Sequence, residues 1–156
     1  MKKIGLSLVI VLGVILLAGC GNIDFSKTSH IICSKTEENS VDTTTTVMTF
    51  SYDKNEKIEN FKVETNTIYK NSMSKEAMEI TEKAMKLIGT TMGLGFESSV
   101  TDNSIAYSFS GNIKTFKVLM KQLNKDYKEE NVTGDTKQEA ITELSKDGYV
   151  CEDIKK

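Results

Sequence analysis

Few side chains here are of the kinds that do covalent, redox or acid–base chemistry: cysteines at 20, 33 and 151, and a single histidine, His30. A catalytic hydroxyl or thiol needs a base beside it. His30 stands near the start of the patterned region without an acid or nucleophile at a telling spacing, and reads as an exposed residue at a strand edge. It also lacks the partner spacing of a zinc site, so no metal and no cofactor is expected. Met78, Met85 and Met92 offer thioethers of the kind that suit copper(I). At helical spacing beside Ala77, Ile80 and Ala84 they read instead as core filler. Asp53, Asn55 and Glu56 resemble part of a calcium loop, but its glycine and terminal glutamate are missing, which leaves a hairpin turn. Gly89, Gly93 and Gly95 are not followed by the Lys-Ser/Thr that grips phosphate, and read as stopping points of a helix. The remaining carboxylates are spread at surface spacing, so enzymatic activity is not expected.

Cys20 has a different context. Lys2 and Lys3 precede an apolar run over 4–17, too short for a spanning helix, which needs about 20 apolar residues. The run ends in Leu17-Ala18-Gly19-Cys20, which resembles the lipobox of bacterial lipoproteins. That resemblance implies cleavage between Gly19 and Cys20 and a diacylglyceryl thioether on the Cys20 sulfur. Two acyl chains anchor durably where one is marginal. The expected organisation is a signal peptide over 1–19, a lipidated tether over 20–29 and a single domain over 30–156, held on the extracytoplasmic face of the cell membrane.

That location bears on the other two thiols. Outside the cytosol an even number of cysteines favours pairing, and Cys33 and Cys151 stand near the two ends of the domain. Two free thiols and a metal site are the rival readings. Without Lys2 and Lys3 the chain keeps 18 basic residues against 22 acidic ones, a mildly acidic balance that argues against nucleic acid as a partner.

The elements that must position these residues follow from the period of the apolar pattern. A short strand is expected over 30–36, carrying Ile31, Ile32 and Cys33, with a polar turn over 37–40. A β-rich run over 43–52 puts Met48, Phe50 and Tyr52 on one face. After a turn over 53–56, residues 57–69 alternate, with Phe61, Val63 and Thr65 opposite Lys62, Glu64 and Asn66. From 74 to 92 the period becomes helical. Ser74 stands at the N-cap, and Ala77, Met78, Ile80, Ala84, Met85, Leu87, Ile88 and Met92 share the apolar side. Phe96, Ser98 and Val100 then oppose Ile105, Tyr107 and Phe109 across Asp102-Asn103. A second helix is expected over 112–127, on a stripe that includes Ile113, Phe116, Leu119 and Leu123. Thr136-Lys137-Gln138-Glu139 fits a capping box opening a last helix, which buries Ala140, Ile141 and Leu144 and ends at Asp147-Gly148. Tyr149 to Cys151 forms a closing strand. The fold class is α+β: a two-layer sandwich of antiparallel β-hairpins with helices on one face. Two hairpin-plus-helix units in series suggest an internal duplication.

The lipobox, Ile32-Cys33-Ser34-Lys35-Thr36-Glu37, Thr49-Phe50-Ser51-Tyr52-Asp53-Lys54 and Asp147-Gly148-Tyr149-Val150-Cys151 together resemble the YehR-type bacterial lipoproteins. The resemblance implies a small lipid-anchored α+β domain and carries over no catalytic or binding residues. The function expected is a non-catalytic envelope interaction module, contacting an envelope protein or cell-wall partner through a sheet face or edge strand. The alternative is a lipoprotein that binds a small molecule or ion in a pocket between sheet and helices.

Overall fold

The computed structural model describes residues 23–71, 74–91, 93–114 and 135–156. Gly19 and Cys20, and the helix expected over 112–127 beyond Lys114, lie outside these residues. A short 3₁₀ turn, Phe25–Lys27, is followed by strands β1 (His30–Glu38), β2 (Asp42–Tyr52) and β3 (Ile58–Tyr69). Helix α1 (Lys75–Thr91) leads to β4 (Gly95–Val100) and β5 (Ser104–Asn112); helix α2 (Lys137–Lys146) leads to β6 (Val150–Ile154).

The six strands form one sheet in the order β4-β5-β3-β2-β1-β6, and every neighbouring pair is antiparallel. One register row crosses all of it: Phe96, Phe109, Val63, Met48, Cys33 and Cys151. Because side chains alternate along a strand, these six share a face. At one end of the row Gly89 of α1 lies against Phe96 and Phe109. At the other, Ala140 and Leu144 of α2 pack into a core with Ile31, Cys33, Phe50, Ile58 and Phe61. Both helices therefore cover the same face, and the fold is α+β with helices on one side of an antiparallel sheet. β2, β3 and α1 form the first of the two hairpin-plus-helix units and β4 with β5 the hairpin of the second, whose expected helix lies beyond the described residues after Lys114.

β1 is longer than its sequence pattern suggests. The polar stretch expected to turn at 37–40 continues the ladder, with Glu37 opposite Thr44 and Glu38 opposite Thr43. The threonine run of β2 supplies β-branched partners that far. The turn comes at Asn39, whose Oδ1 accepts from the amides of Val41 (2.6 Å) and Asp42 (2.9 Å). The next turn falls where expected. Asp53 Oδ1 accepts from the amides of Asn55 (2.8 Å) and Lys57 (2.9 Å), and Glu56 takes φ 60°. The hydrogen bond from the Lys57 amide leads in holding the Asp53 carboxyl below its ordinary range.

α1 begins at Ser74, whose Oγ accepts from the Ala77 amide at 3.2 Å. It runs past Gly89, which is not a stop. The helix ends at Gly93, with φ 63°. The Gly93 amide donates to the Thr90 carbonyl and the Leu94 amide to the Gly89 carbonyl, the paired bonds of a Schellman cap. Gly89 has a packing role: a Cβ there would stand 2.8 Å from Phe96 Cβ and 3.0 Å from the Phe109 ring. α2 opens with the expected capping box between Thr136 and Glu139. It closes at Gly148, φ 86°, with the Tyr149 amide donating to the Leu144 carbonyl.

The apolar side expected for α1 divides. Met78 is 1% exposed and Met85 half-buried, but Ile80, Ala84, Leu87 and Ile88 face outward. Met78, Met85 and Gly89 form a narrow seam against the sheet, so residues turned roughly 180–240° away from Met78 cannot reach it. Ile88 lies at the seam's side.

Cys33 and Cys151 form a disulfide between directly opposed residues of β1 and β6, with Cα atoms 4.0 Å apart and 118 residues of separation. We expect Cys151→Ser to cost about 2–5 kcal/mol in urea unfolding. A reductant should lower the wild-type midpoint towards the variant's while leaving the variant unmoved. Gly89→Ala sets a helix-propensity gain of about 1 kcal/mol against overlap with Phe96 costing about 1–3 kcal/mol. A net loss of stability is expected, and a gain would contradict the close helix–sheet contact.

Candidate functional site

The structure places the chemically able side chains apart from one another. His30 is buried rather than at an exposed edge, because β6 pairs along the outer side of β1. Its Nδ1 lies 2.8 Å from the Thr28 carbonyl and its ring meets Phe25 edge-on. Met78 packs against the sheet as core filler; Met92 lies outside the described residues. Cys33 and Cys151 are joined to each other. No group of three or more His, Cys, Asp or Glu side chains able to hold a metal occurs among the described residues.

One polar cluster escaped the pattern of the sequence. Lys137 is the first residue of α2, and its side chain is only 9% exposed. Its ammonium contacts Glu56 Oε1 at 2.7 Å and Asp153 Oδ2 at 3.0 Å, and lies 4.9 Å from the centre of the Tyr52 ring. The Tyr52 hydroxyl donates to Asp153 Oδ1 at 2.6 Å. Hydrogen bonds to Glu56 and Asp153 raise the Lys137 pKa against the effect of burial. Burial, then the bond to Asp153, raises Tyr52. Burial would raise Asp153 as well, but the bonds from Tyr52 and Lys137 prevail and hold it low. A lysine in the first turn opposes the helix dipole, and that mismatch was the one available hint that Lys137 had carboxylate partners. With the hydroxyl and ammonium already engaged, the cluster ties three elements together: the β2–β3 turn, the start of α2, and β6.

A second polar feature crosses β3, β5 and β4, where Glu64, Ser108 and Glu97 stand in one register row. Lys62 pairs with Glu64 at 2.8 Å, while Glu97 Oε1 is buried without a hydrogen-bond partner. Residues of these strands, among them Glu64, Glu97, Tyr107 and Ser108, line a shallow depression with room for about one water molecule. Small-molecule sites usually occupy about 300–1,000 Å³.

The most distinctive surface is the outer flank of α1. Ile80 is 61% exposed, Leu87 68% and Ile88 44%, with Ala84 exposed among them. On a helix these positions fall within one third of the circumference, so they form a continuous stripe. Glu79, Lys83 and Lys86 occupy the neighbouring arc. Isolated apolar residues on a surface are ordinary, whereas a contiguous patch marks a contact site. No helix among the described residues is long and apolar enough to cross a membrane. Comparison with known proteins finds no matching family model, curated protein or solved structure.

The Lys137 cluster has a measurable consequence. Its fold-imposed lowering of Asp153 below the ordinary 3.8 contributes stability that is complete above that value and is lost as pH falls through the lowered one. Acid unfolding should therefore steepen below about pH 4. Asp153→Asn should flatten that limb while lowering stability at neutral pH; an unchanged acid limb would exclude the tie as a contributor.

Proposed function

We propose that this chain is a bacterial surface lipoprotein, anchored by a lipid on Cys20 after removal of residues 1–19. Its domain acts as a non-catalytic interaction module on the extracytoplasmic side of the cell membrane. The reading rests chiefly on the outward stripe of α1, where Ile80, Ala84, Leu87 and Ile88 face solvent while the core beneath is filled by other residues. Leaving such side chains in water forgoes about 1.5–3 kcal/mol each relative to burial, which a contact at that surface would recover. The Cys33–Cys151 disulfide supports a non-cytosolic location. The sequence of the lipobox and the likeness to YehR-type lipoproteins point to the same address. The pocket reading has less support, since the depression on β3, β4 and β5 has room for only about one water molecule.

Two experiments address the two parts. Intact-mass analysis of the membrane fraction should find a diacylglyceryl group on Cys20, and Cys20→Ser should move the protein into the soluble fraction; an unmodified, membrane-free wild type would sink the anchor. For the module, a photoreactive residue at position 87 in intact cells should form adducts with an envelope component. One at position 79, on the charged arc, should not. Leu87→Asp should change stability by no more than about 0.5 kcal/mol, and equal labelling at both positions would remove α1 as the contact surface.

A further inference from the structure

Resting on the lipid-anchored reading, we infer that the envelope component met by the outer stripe of α1 is the bilayer itself, and that this contact fixes how the domain sits on the membrane. The distance from anchor to domain limits where the domain can go. From Cys20 to Phe25, where the first turn begins, an extended chain spans at most about 17 Å. The domain is therefore held against the lipid surface, and some part of it must face the headgroups.

The sheet register identifies that part. The chain enters the sheet at His30, three residues before Cys33. Cys33 shares its register row with Phe96, the side chain on which Gly89 of α1 rests. Leu87 and Ile88 adjoin Gly89 in the chain, so this end of the stripe lies about 10 Å along the strand direction from the point of entry. Across the sheet, β1 and β4 are separated by about 19 Å. A domain pivoting on so short a tether can thus bring α1 onto the membrane.

The stripe has the character of an interfacial helix face, with Ile80, Leu87 and Ile88 to enter the headgroup–acyl boundary and a charged arc of Glu79, Lys83 and Lys86 beside it. Three large side chains would be too few to recruit a freely diffusing protein durably. They need only act within the volume the tether allows, where the membrane is already present at high effective concentration. The anchor supplies attachment, and α1 supplies orientation. With the helix layer turned to the lipid, the opposite face of the sheet is directed away from it.

The test uses the full-length lipidated protein, in which Cys20 is acylated and Cys33 and Cys151 are paired, so an introduced cysteine is the one thiol open to an environment-sensitive fluorophore. Leu87→Cys, Glu79→Cys and Ser99→Cys place the probe on the stripe, on the charged arc of the same helix and on the far face of the sheet. In phosphatidylglycerol/phosphatidylcholine vesicles, the probe at 87 should show a blue shift and quenching by doxyl-labelled acyl chains. The probes at 79 and 99 should show neither. Confirmed acylation of Cys20 with an unshifted, unquenched probe at 87 would overturn the orientation while leaving the anchor intact. A blue shift that grows with protein concentration and ignores the lipid quencher would assign the stripe to a second copy and overturn the inference. Absence of the diacylglyceryl group would instead remove the anchored reading on which it rests.

Discussion

The pairing of β1 with β6 brings the two ends of the folded chain side by side, and most of the architecture depends on it. β6 is an edge strand of five residues, hydrogen-bonded to a neighbour on one side alone. The Cys33–Cys151 disulfide fixes the ladder near the start of β6, and Tyr52 and Lys137 grip the strand towards its other end at Asp153. Cys33 is fully buried beneath α2, together with Ala140 and Leu144. The bridge is therefore part of the core as well as a cross-link. It couples β6 to the helix that precedes it, so loosening either one exposes the other.

The two helices meet the sheet differently. α2 follows a tight cap and buries Ala140 and Leu144 among the largest core residues. α1 approaches through Gly89, close enough to leave no room for a methyl group above Phe96. The sheet meets α1 along the side that carries Met78, Met85 and Gly89. Ile80, Ala84 and Leu87 lie on the side turned away from the sheet and are exposed. An amphipathic pattern records how much of a helix is apolar, but the partner that will cover each residue depends on the distance of approach.

The disulfide in the core agrees with the proposed location outside the cytosol, and the short lead from Cys20 to the first turn agrees with the proposed anchor. The polar groups that could suggest chemistry are mostly engaged in structure. Lys137, Tyr52 and Asp153 satisfy one another, and Asp53 closes the turn that presents Glu56 to Lys137. Among the described residues Glu97 differs, with one carboxylate oxygen buried and unpaired.

Much of this fold could be read in the sequence because it is governed by neighbours along the chain. The pairing of Phe96, Ser98 and Val100 with Phe109, Tyr107 and Ile105 follows from alternation about a short turn, and it is realised residue for residue. The capping box at Thr136 and the stop at Gly148 are equally local, since a hydroxyl, a carboxylate and a positive φ act within a few residues. The cysteine pair was legible from parity and position, although only the register of β1 and β6 decided that the two face each other. What lay beyond the sequence required distant segments to be brought together. The burial of His30 depended on β6 arriving at the outer side of β1. The ion pairs of Lys137 depended on the meeting of a turn, a helix start and a strand. The exposure of Ile80 and Leu87 depended on which side of α1 meets β4 and β5. By itself the sequence determined the elements and most of their boundaries, because these are set by periodicity and local hydrogen bonding. The tertiary structure alone decided which apolar and charged side chains remain available to a partner, because availability is what packing leaves over.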